Sequence, residues 1–316
     1  SVTAIKLSPA SVGSNGQVLG VNGSGALQWV ADSSTPGAGT ITAAMISSGL
    51  QLVTTASTNT FAGLNVGAAV SGGTELTYYG HNAGNDNTSG DYNTGIGREA
   101  LAKNTTASNN TAVGNYALGI NTTGASNTAV GSYCLDANTT GSSNVAIGLS
   151  ALGSATTASS NTAVGKDALF TVTTGASNTG VGHDALQYTT GNNNCALGYQ
   201  AGKTNTIGYE NTAIGYQALL DNTEGITNTA LGSATLTNNT TGNRNTAVGR
   251  EALKYNTTAH DNVAVGNESL KMNETGAENV AVGMEALKVN TASYNTAVGR
   301  AALTTNTSGQ YNAAFA

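Results

Sequence analysis

A unit reading N-T-A-V-G-x-x-A-L-x-x-N-T-T-G-x-x recurs every 17 residues and constrains this chain more than any other feature. Copies start at Asn93, Asn110, Asn127, Asn144, Asn161, Asn178, Asn194, Asn211, Asn228, Asn245, Asn262, Asn279 and Asn295. A partial copy runs from Asn312 to Ala316, and a degenerate one shows earlier in Gly80-His81-Asn82-Ala83-Gly84. Two spacings, Asn178 to Asn194 and Asn279 to Asn295, are 16 instead of 17. A fixed short period means stacked units that touch mainly their neighbours, so the chain is expected to be a rod or a surface and not a container for an active site. Charged residues are only 9% and aromatics 5%, a composition that elsewhere signals disorder. Polar disordered tracts do not hold register over so many copies, so an ordered array is expected.

Positions within the unit are numbered here from its asparagine. Position 4 is a large aliphatic in every complete copy, from Ile96 to Val298, and position 9 is leucine except at Gly202. Position 8 is small, and position 5 is always glycine, from Gly97 to Gly299. The glycines and asparagines leave no uninterrupted helical stretch, and isolated short helices are marginal. Two short strands per unit fit better, at positions 2–4 and about 7–9. The position 5 glycine would turn one corner and N-T-T-G at positions 12–15 the other, through side-chain bonds to local backbone. The expected fold is all-β: a parallel β-roll or β-helix solenoid of about fourteen coils over residues 76–316. Stacked position 1 amides should bond from coil to coil, as in other parallel stacks. Positions 4 and 9 are expected inside, with positions 6 and 7 outside. Two large apolar side chains per coil make a thin core, so several chains are expected to share one, as a homotrimer.

Residues 1–75 read differently. Gln17–Val21, a glycine-rich Asn22–Gly25 and Ala26–Val30 suggest a hairpin, with Trp29 stapling a small module over 1–40 that ends in the linker Ser33–Thr40. Residues 41–75 form a transition with strand-like pieces around Ile41, Leu50 to Val53, and Leu64 to Val66. Cys134 and Cys195 fall four coils apart, roughly 19 Å at a 4.8 Å rise, too far for a disulfide.

The side chains speak against several chemistries. Net charge is -6 with no Lys/Arg cluster, which disfavours nucleic acid, and no apolar run approaches a membrane span of about 20 residues. His183-Asp184 has no third partner at useful spacing, and adjacent strand residues face opposite ways. Neither His81 nor His260 sits in a metal-spaced cluster. Glu251, Glu268 and Glu285 recur as a solvated stripe. No catalytic group, metal or cofactor is expected. The least bland residues are tyrosines: Tyr116 and Tyr133 recur at position 7, and Tyr199 and Tyr216 at position 6 beside Gln200 and Gln217. Flat rings next to amides suit sugar faces and hydroxyls, so these six are the candidate glycan contacts. The competing reading is a surface ladder of stacked rings.

The copy N-T-A-I-G-Y-Q-A-L from Asn211 to Leu219, followed by N-T-E-G from Asn222 to Gly225, resembles repeats of bacterial and phage tail-fibre-like proteins. Such chains often end in a self-cleaving endosialidase-type intramolecular chaperone. The N-T-A-V-G strand is similar to the S-V-A-I-G strand of trimeric autotransporter adhesin heads, whose repeat is shorter. The G-Q-V-L from Gly16 and L-Q-W-V from Leu27 resemble N-terminal modules of such fibres. The resemblance implies a trimeric, extracellular, cell-surface or virion-tail fibre that presents a surface to a host-cell or envelope receptor, glycans foremost; it makes Ala316 a cleavage point, with truncation as the alternative. Two alternatives stand beside it. An ice-binding solenoid would use threonine ranks, though threonine at positions 2, 13 and 14 does not suggest a T-x-T face on one strand. A polysaccharide-degrading spike is the third.

Overall fold

In the computed structural model, the described residues are the strands at 17–21, 27–31 and 52–53 and the continuous stretch 58–316. Strands β1 (Gln17–Val21) and β2 (Leu27–Ala31) pair antiparallel, Leu19 opposite Trp29, as the hairpin reading expects. The Trp29 side chain, the linker at 33–40 and the pieces around Ile41 and Leu50 lie outside the described residues. Strand β3 (Leu52–Val53) runs antiparallel to β4 (Thr60–Ala62). From β4 to β19 (Ala313–Phe315) every strand is three residues long, occupies positions 2–4 of its unit, and pairs in parallel and in register with the next. Thr111, Ala112 and Val113 lie opposite Thr128, Ala129 and Val130. Among the described residues β19 pairs only with β18 and β3 only with β4, so the sheet is an open ladder. The protein is therefore an all-β parallel solenoid of fifteen complete coils and one partial coil. Of the N-T-A-V-G pattern, the first coil, 59–75, keeps Asn59, Thr60 and Gly63, and the second, 76–92, only Thr77 and Gly80. At about 4.8 Å per coil the stack extends roughly 70 Å.

The interior is not the one the aliphatic pattern suggests. Strand residues alternate faces, and it is the small position 3 that points inward: Ala112, Ala129, Ala146 and Ala163 are all fully buried. Position 4 therefore points out. Ile96 is 40% exposed, Leu197 49% and Leu231 43%. The interior of a 17-residue coil is narrow, and one leucine per coil nearly fills it. Leu101, Leu118, Leu135 and Leu152 at position 9 are fully buried, as expected, against position 3 and the alanines of position 8. Each chain thus closes its own leucine core, and the reason first given for a core shared between chains falls away.

Positions 7–9 are not a strand either. Residues 7 and 9 take positive φ, as at Tyr116 (59°) and Leu118 (51°), a conformation uncommon for leucine and costly by about 1–2 kcal/mol. Successive turns close here: Ala117 N–H donates to the Gly114 carbonyl, Gly119 N–H to Tyr116 and Asn121 N–H to Leu118. The alternating backbone also sends bonds both ways along the rod. Tyr116 N–H donates to Arg98 in the preceding coil and Leu118 N–H to Cys134 in the next, at 2.9 and 3.0 Å. These bonds and complete side-chain burial offset the leucine strain. The position 5 glycine behaves as expected of a corner. At Gly97 φ is +134°, and a Cβ would lie 2.3 Å from the Gly114 carbonyl oxygen above it.

Two buried asparagine ladders replace part of the missing apolar core. At position 1, Asn110 donates its side-chain amide to the Gly124 carbonyl of its own coil, and its Oδ1 accepts the backbone N–H of Asn127 in the next. At position 12, where side-chain bonds to local backbone are expected, Asn121 makes such a bond and is also fully buried. Its amide donates to Asn104 Oδ1 (3.0 Å) and to the Gly124 carbonyl. This second ladder is interrupted at Ala155 and Val172, resumes where Asn205 donates to the Thr189 hydroxyl, and lapses again along Asn256, Asn273 and Asn290; the Oδ1 atoms of Asn138, Asn256 and Asn273 are left without a donor. The two 16-residue coils shorten between positions 12 and 15. Asn178 and Asn279 reach carbonyls 13 residues away where most others reach 14.

Candidate functional site

With the core and the asparagine ladders committed to the stack, most of the variation falls at positions 6, 7, 10, 11, 16 and 17. The six candidate residues lie there, on the corner that follows each strand. The structure divides them into two groups five coils apart. Tyr116 and Tyr133 stack with ring centroids 5.7 Å apart and planes within 8°. Tyr199 and Tyr216 stack at 5.5 Å and 11°, with His183 below Tyr199 at 5.6 Å and a 32° tilt. Ring faces inside each stack are thus covered by the neighbouring ring, and what these pairs offer outward is ring edges and hydroxyls. Only the end of a stack presents a face.

The polar rank beside Tyr199 and Tyr216 is continuous. Gln217 donates to Gln200 Oε1 at 3.0 Å, Gln200 donates to Asp184 Oδ2 at 3.3 Å, and Lys203 Nζ binds the same oxygen at 2.9 Å. His183 Nδ1 lies 3.0 Å from the other carboxylate oxygen. Burial would push the Asp184 carboxyl up, but the Lys203 and Gln200 hydrogen bonds and the Lys203 and His183 charges outweigh it and hold it below the usual range. The His183-Asp184 pair therefore sits within an ion-paired surface network. Cys134 and Cys195 are both free. Cys134 is buried, with its thiol donating to the Ala146 carbonyl, and burial pushes it up to about 12. Cys195 is exposed on strand β12 (Cys195–Leu197), at position 2.

Farther along, the carboxylates of position 7 and the lysines of position 10 interlock. Lys271 bridges Glu251 and Glu268 (3.3 Å to the latter), and Lys288 bridges Glu268 and Glu285 at 2.6 and 2.9 Å. The stripe of Glu251, Glu268 and Glu285 is a charge zipper. Among the described residues no group of three or more His, Cys, Asp and Glu could hold a metal ion, and no helix is long and apolar enough to cross a membrane.

One surface was not anticipated. Positions 2 and 4 of all sixteen strands face outward as a ribbon without a charged residue. Its aliphatic rank runs Ile96, Val113, Val130, Ile147 and on to Val298. Threonine predominates at position 2, and the hydroxyls of Thr94, Thr111, Thr128 and Thr162 bond to no described residue. The position 13 threonines differ, since Thr105, Thr122 and Thr139 each donate to the carbonyl of the next coil. The signal for this ribbon was the strand alternation itself, once alanine is taken as the inward residue.

Fold and surface together define a tandem-repeat β-solenoid with a charge-free outer ribbon. No family model, curated protein or solved structure matches the chain.

Proposed function

We propose that this chain is the shaft of a self-associating extracellular fibre, three copies packing their ribbons along a common axis and presenting the variable ranks to a cell-surface or envelope receptor. The observation that carries the reading is the exposed aliphatic rank at position 4. A stripe about 70 Å long and one side chain wide amounts to roughly 400 Å², within the range of about 300–600 Å² for the largest patch on a monomer, a patch that is often functional. A partner that covers a straight stripe of that length must repeat with the same rise, and another copy of the chain does. The resemblance to trimeric fibres points the same way, and the trimer seam would then lie outside each solenoid instead of within a shared leucine core. Neither catalysis nor a cofactor is part of this reading.

The test uses Cys195, which lies on the ribbon. The native mass should be three times 31.3 kDa, and a short bis-maleimide should cross-link copies through Cys195. Val164→Lys should leave folded, solenoidal monomers. A wild-type chain that runs at 31.3 kDa with no cross-link would sink the proposal.

One observation favours a second reading. Threonine hydroxyls left free beside methyl groups on a flat, regular face are also what an ice-binding surface requires. A monomer that shows thermal hysteresis, lost in Thr128→Lys, would establish that use of the ribbon in place of association.

A further inference from the structure

The ladder of rings at position 6 stops abruptly. His183, Tyr199 and Tyr216 occupy successive coils, and the next residue at that position is Ser233, followed by Arg250. Strands β13 (Thr212–Ile214), β14 (Thr229–Leu231) and β15 (Thr246–Val248) pair without offset, so these corner positions stay aligned from coil to coil. Since Tyr199 covers one face of Tyr216, the other points along the rod toward the Ser233 rung, and Tyr216 is 53% exposed. Ser233 and Ala234 fill so little of their rung that a notch one coil high remains. From the Tyr216 rung to the Arg250 rung is two rises, about 9–10 Å. A ring lying midway would sit at the same spacing as the tyrosines sit from each other.

The surroundings of the notch are polar where a sugar needs them. Gln217 bonds Gln200 through its Nε2, and its Oε1 bonds no described residue. The Ser233 hydroxyl likewise has no described partner. Arg250, exposed above, is held only by contacts of 3.5 Å to Glu251 and Glu268. We propose that this notch binds a pyranose ring, its apolar face stacked on Tyr216 and its hydroxyls meeting Ser233, the Gln217 amide oxygen and Arg250. The rod's own spacing sets the thickness of the site, and the missing fourth ring creates it. The inference rests on reading the rod as a presenting surface. Of the six candidate residues it selects Tyr216, with Gln217 beside it, over Tyr133, the end of the other stack, whose next rung is Leu149 and Ser150.

The experiment is binding of the native protein to a printed glycan panel, followed by saturation-transfer NMR with the methyl glycoside of the sugar that the bound glycans share. The decisive variant is Ser233→Tyr. It extends a ladder the protein already builds at Tyr199 and Tyr216, so it should fold normally while filling the notch. Loss of the transfer signal in Ser233→Tyr, with about tenfold weaker binding in Tyr216→Ala and no change in Tyr133→Ala, is the expected result. Undiminished binding by Ser233→Tyr, or no glycan bound at all, would overturn the site. Native mass measured on the same samples judges the fibre reading separately: a trimer that binds no sugar keeps the fibre and loses the notch.

Discussion

The first two coils of the solenoid and the later, regular ones solve the same packing problem in opposite ways. In coils 93–109 onward, position 3 is small and position 9 is leucine, except in coil 194–210, where Gly202 stands at position 9 and Leu186 of the preceding coil reaches toward it. In coils 59–75 and 76–92 the volumes are exchanged: Phe61 and Tyr78 stand at position 3, and Gly67 and Gly84 at position 9. Phe61 and Tyr78 stack inside the coil at 5.4 Å and 12°. A Cβ on Gly84 would lie 2.2 Å from the Tyr78 ring, and one on Gly67 3.0 Å from Phe61. The backbone hardly changes, since Gly84 keeps the positive φ (55°) that Leu101 has (54°). The coil is thus a fixed shell of hydrogen bonds around a fixed volume, and either end of the cross-section can supply the side chain that fills it.

That comparison breaks most sharply by mixing the two solutions. Gly84→Leu should be the largest effect, because leucine and Tyr78 claim the same space. Overpacking commonly costs about 1–3 kcal/mol and occasionally more; with a Cβ on Gly84 falling 2.2 Å from the Tyr78 ring and nothing flexible to yield, the cost here should exceed that of a cavity at the same site. Tyr78→Ala alone should cost about 3–5 kcal/mol through the cavity it leaves. The double variant Tyr78→Ala with Gly84→Leu rebuilds the regular coil and should recover most of the loss in urea denaturation. Failure of the pair to rescue would show that the aromatic coils are needed for something besides volume.

In the regular coils, inward and outward residues should separate next. Leu219→Ala should cost about 2–5 kcal/mol, and Leu219→Asp should prevent folding of its coil. Gln217→Ala, on the surface rank, should be nearly neutral to stability. Equal effects on urea midpoints would overturn the inside–outside assignment. Asn239→Ala lies between these extremes. It removes the acceptor of Asn256 (2.6 Å) and the donors to Asn222 (2.7 Å) and to the Gly242 carbonyl, so an unpaired buried amide costs about 1–3 kcal/mol. The natural break at Ala155 and Val172 leads to a further expectation: hydrogen exchange should be faster there than in coils whose asparagine ladder is intact.

Much of this was legible from the period. Seventeen residues without a helical stretch required short stacked turns, and the position 1 asparagines, the position 5 glycines and the position 9 leucines stand where the repeat implies. Legibility stopped where side-chain size was used to choose a face. Valine looks more like a core residue than alanine, but the interior is too narrow for both valine and leucine, so Ala112 points in and Val113 out. Asn121 reads as turn chemistry, and its bond to the Gly124 carbonyl agrees, but nothing in one copy reveals that its amide also donates to Asn104 in another. The tyrosine stacks could be read from register alone. Their exposed end could not be weighed until the rings were known to cover each other, after which Ser233 becomes the informative residue of its rank.

The smallest expected effect lies at the other end of the rod, in the charge zipper that the aromatic coils lack. Hydrogen bonds from Lys271 to Glu251 and from Lys288 to Glu268 hold both carboxyls below their ordinary range. Arg244, bidentate at 2.7 Å, lowers the Asp261 carboxyl to about 2. A depressed carboxyl contributes stability that is fully present above its unfolded pKa and lost as pH falls through its folded one. For Asp261 that window runs from about 4 down to about 2. For Glu251 and Glu268 it opens near 4.5 and extends downward. These groups are solvent-accessible and screened, and the Lys271 pairs contribute a few tenths to about 1 kcal/mol. Lys271→Gln should therefore shift stability by no more than that at neutral pH, and the difference from wild type should shrink in molar salt. On acidification, hydrogen exchange should accelerate over residues 245–290 before it does over 59–92, where the interior holds no carboxylate. Simultaneous loosening of both ends would mean that the stack opens as one cooperative unit and that the zipper contributes nothing local.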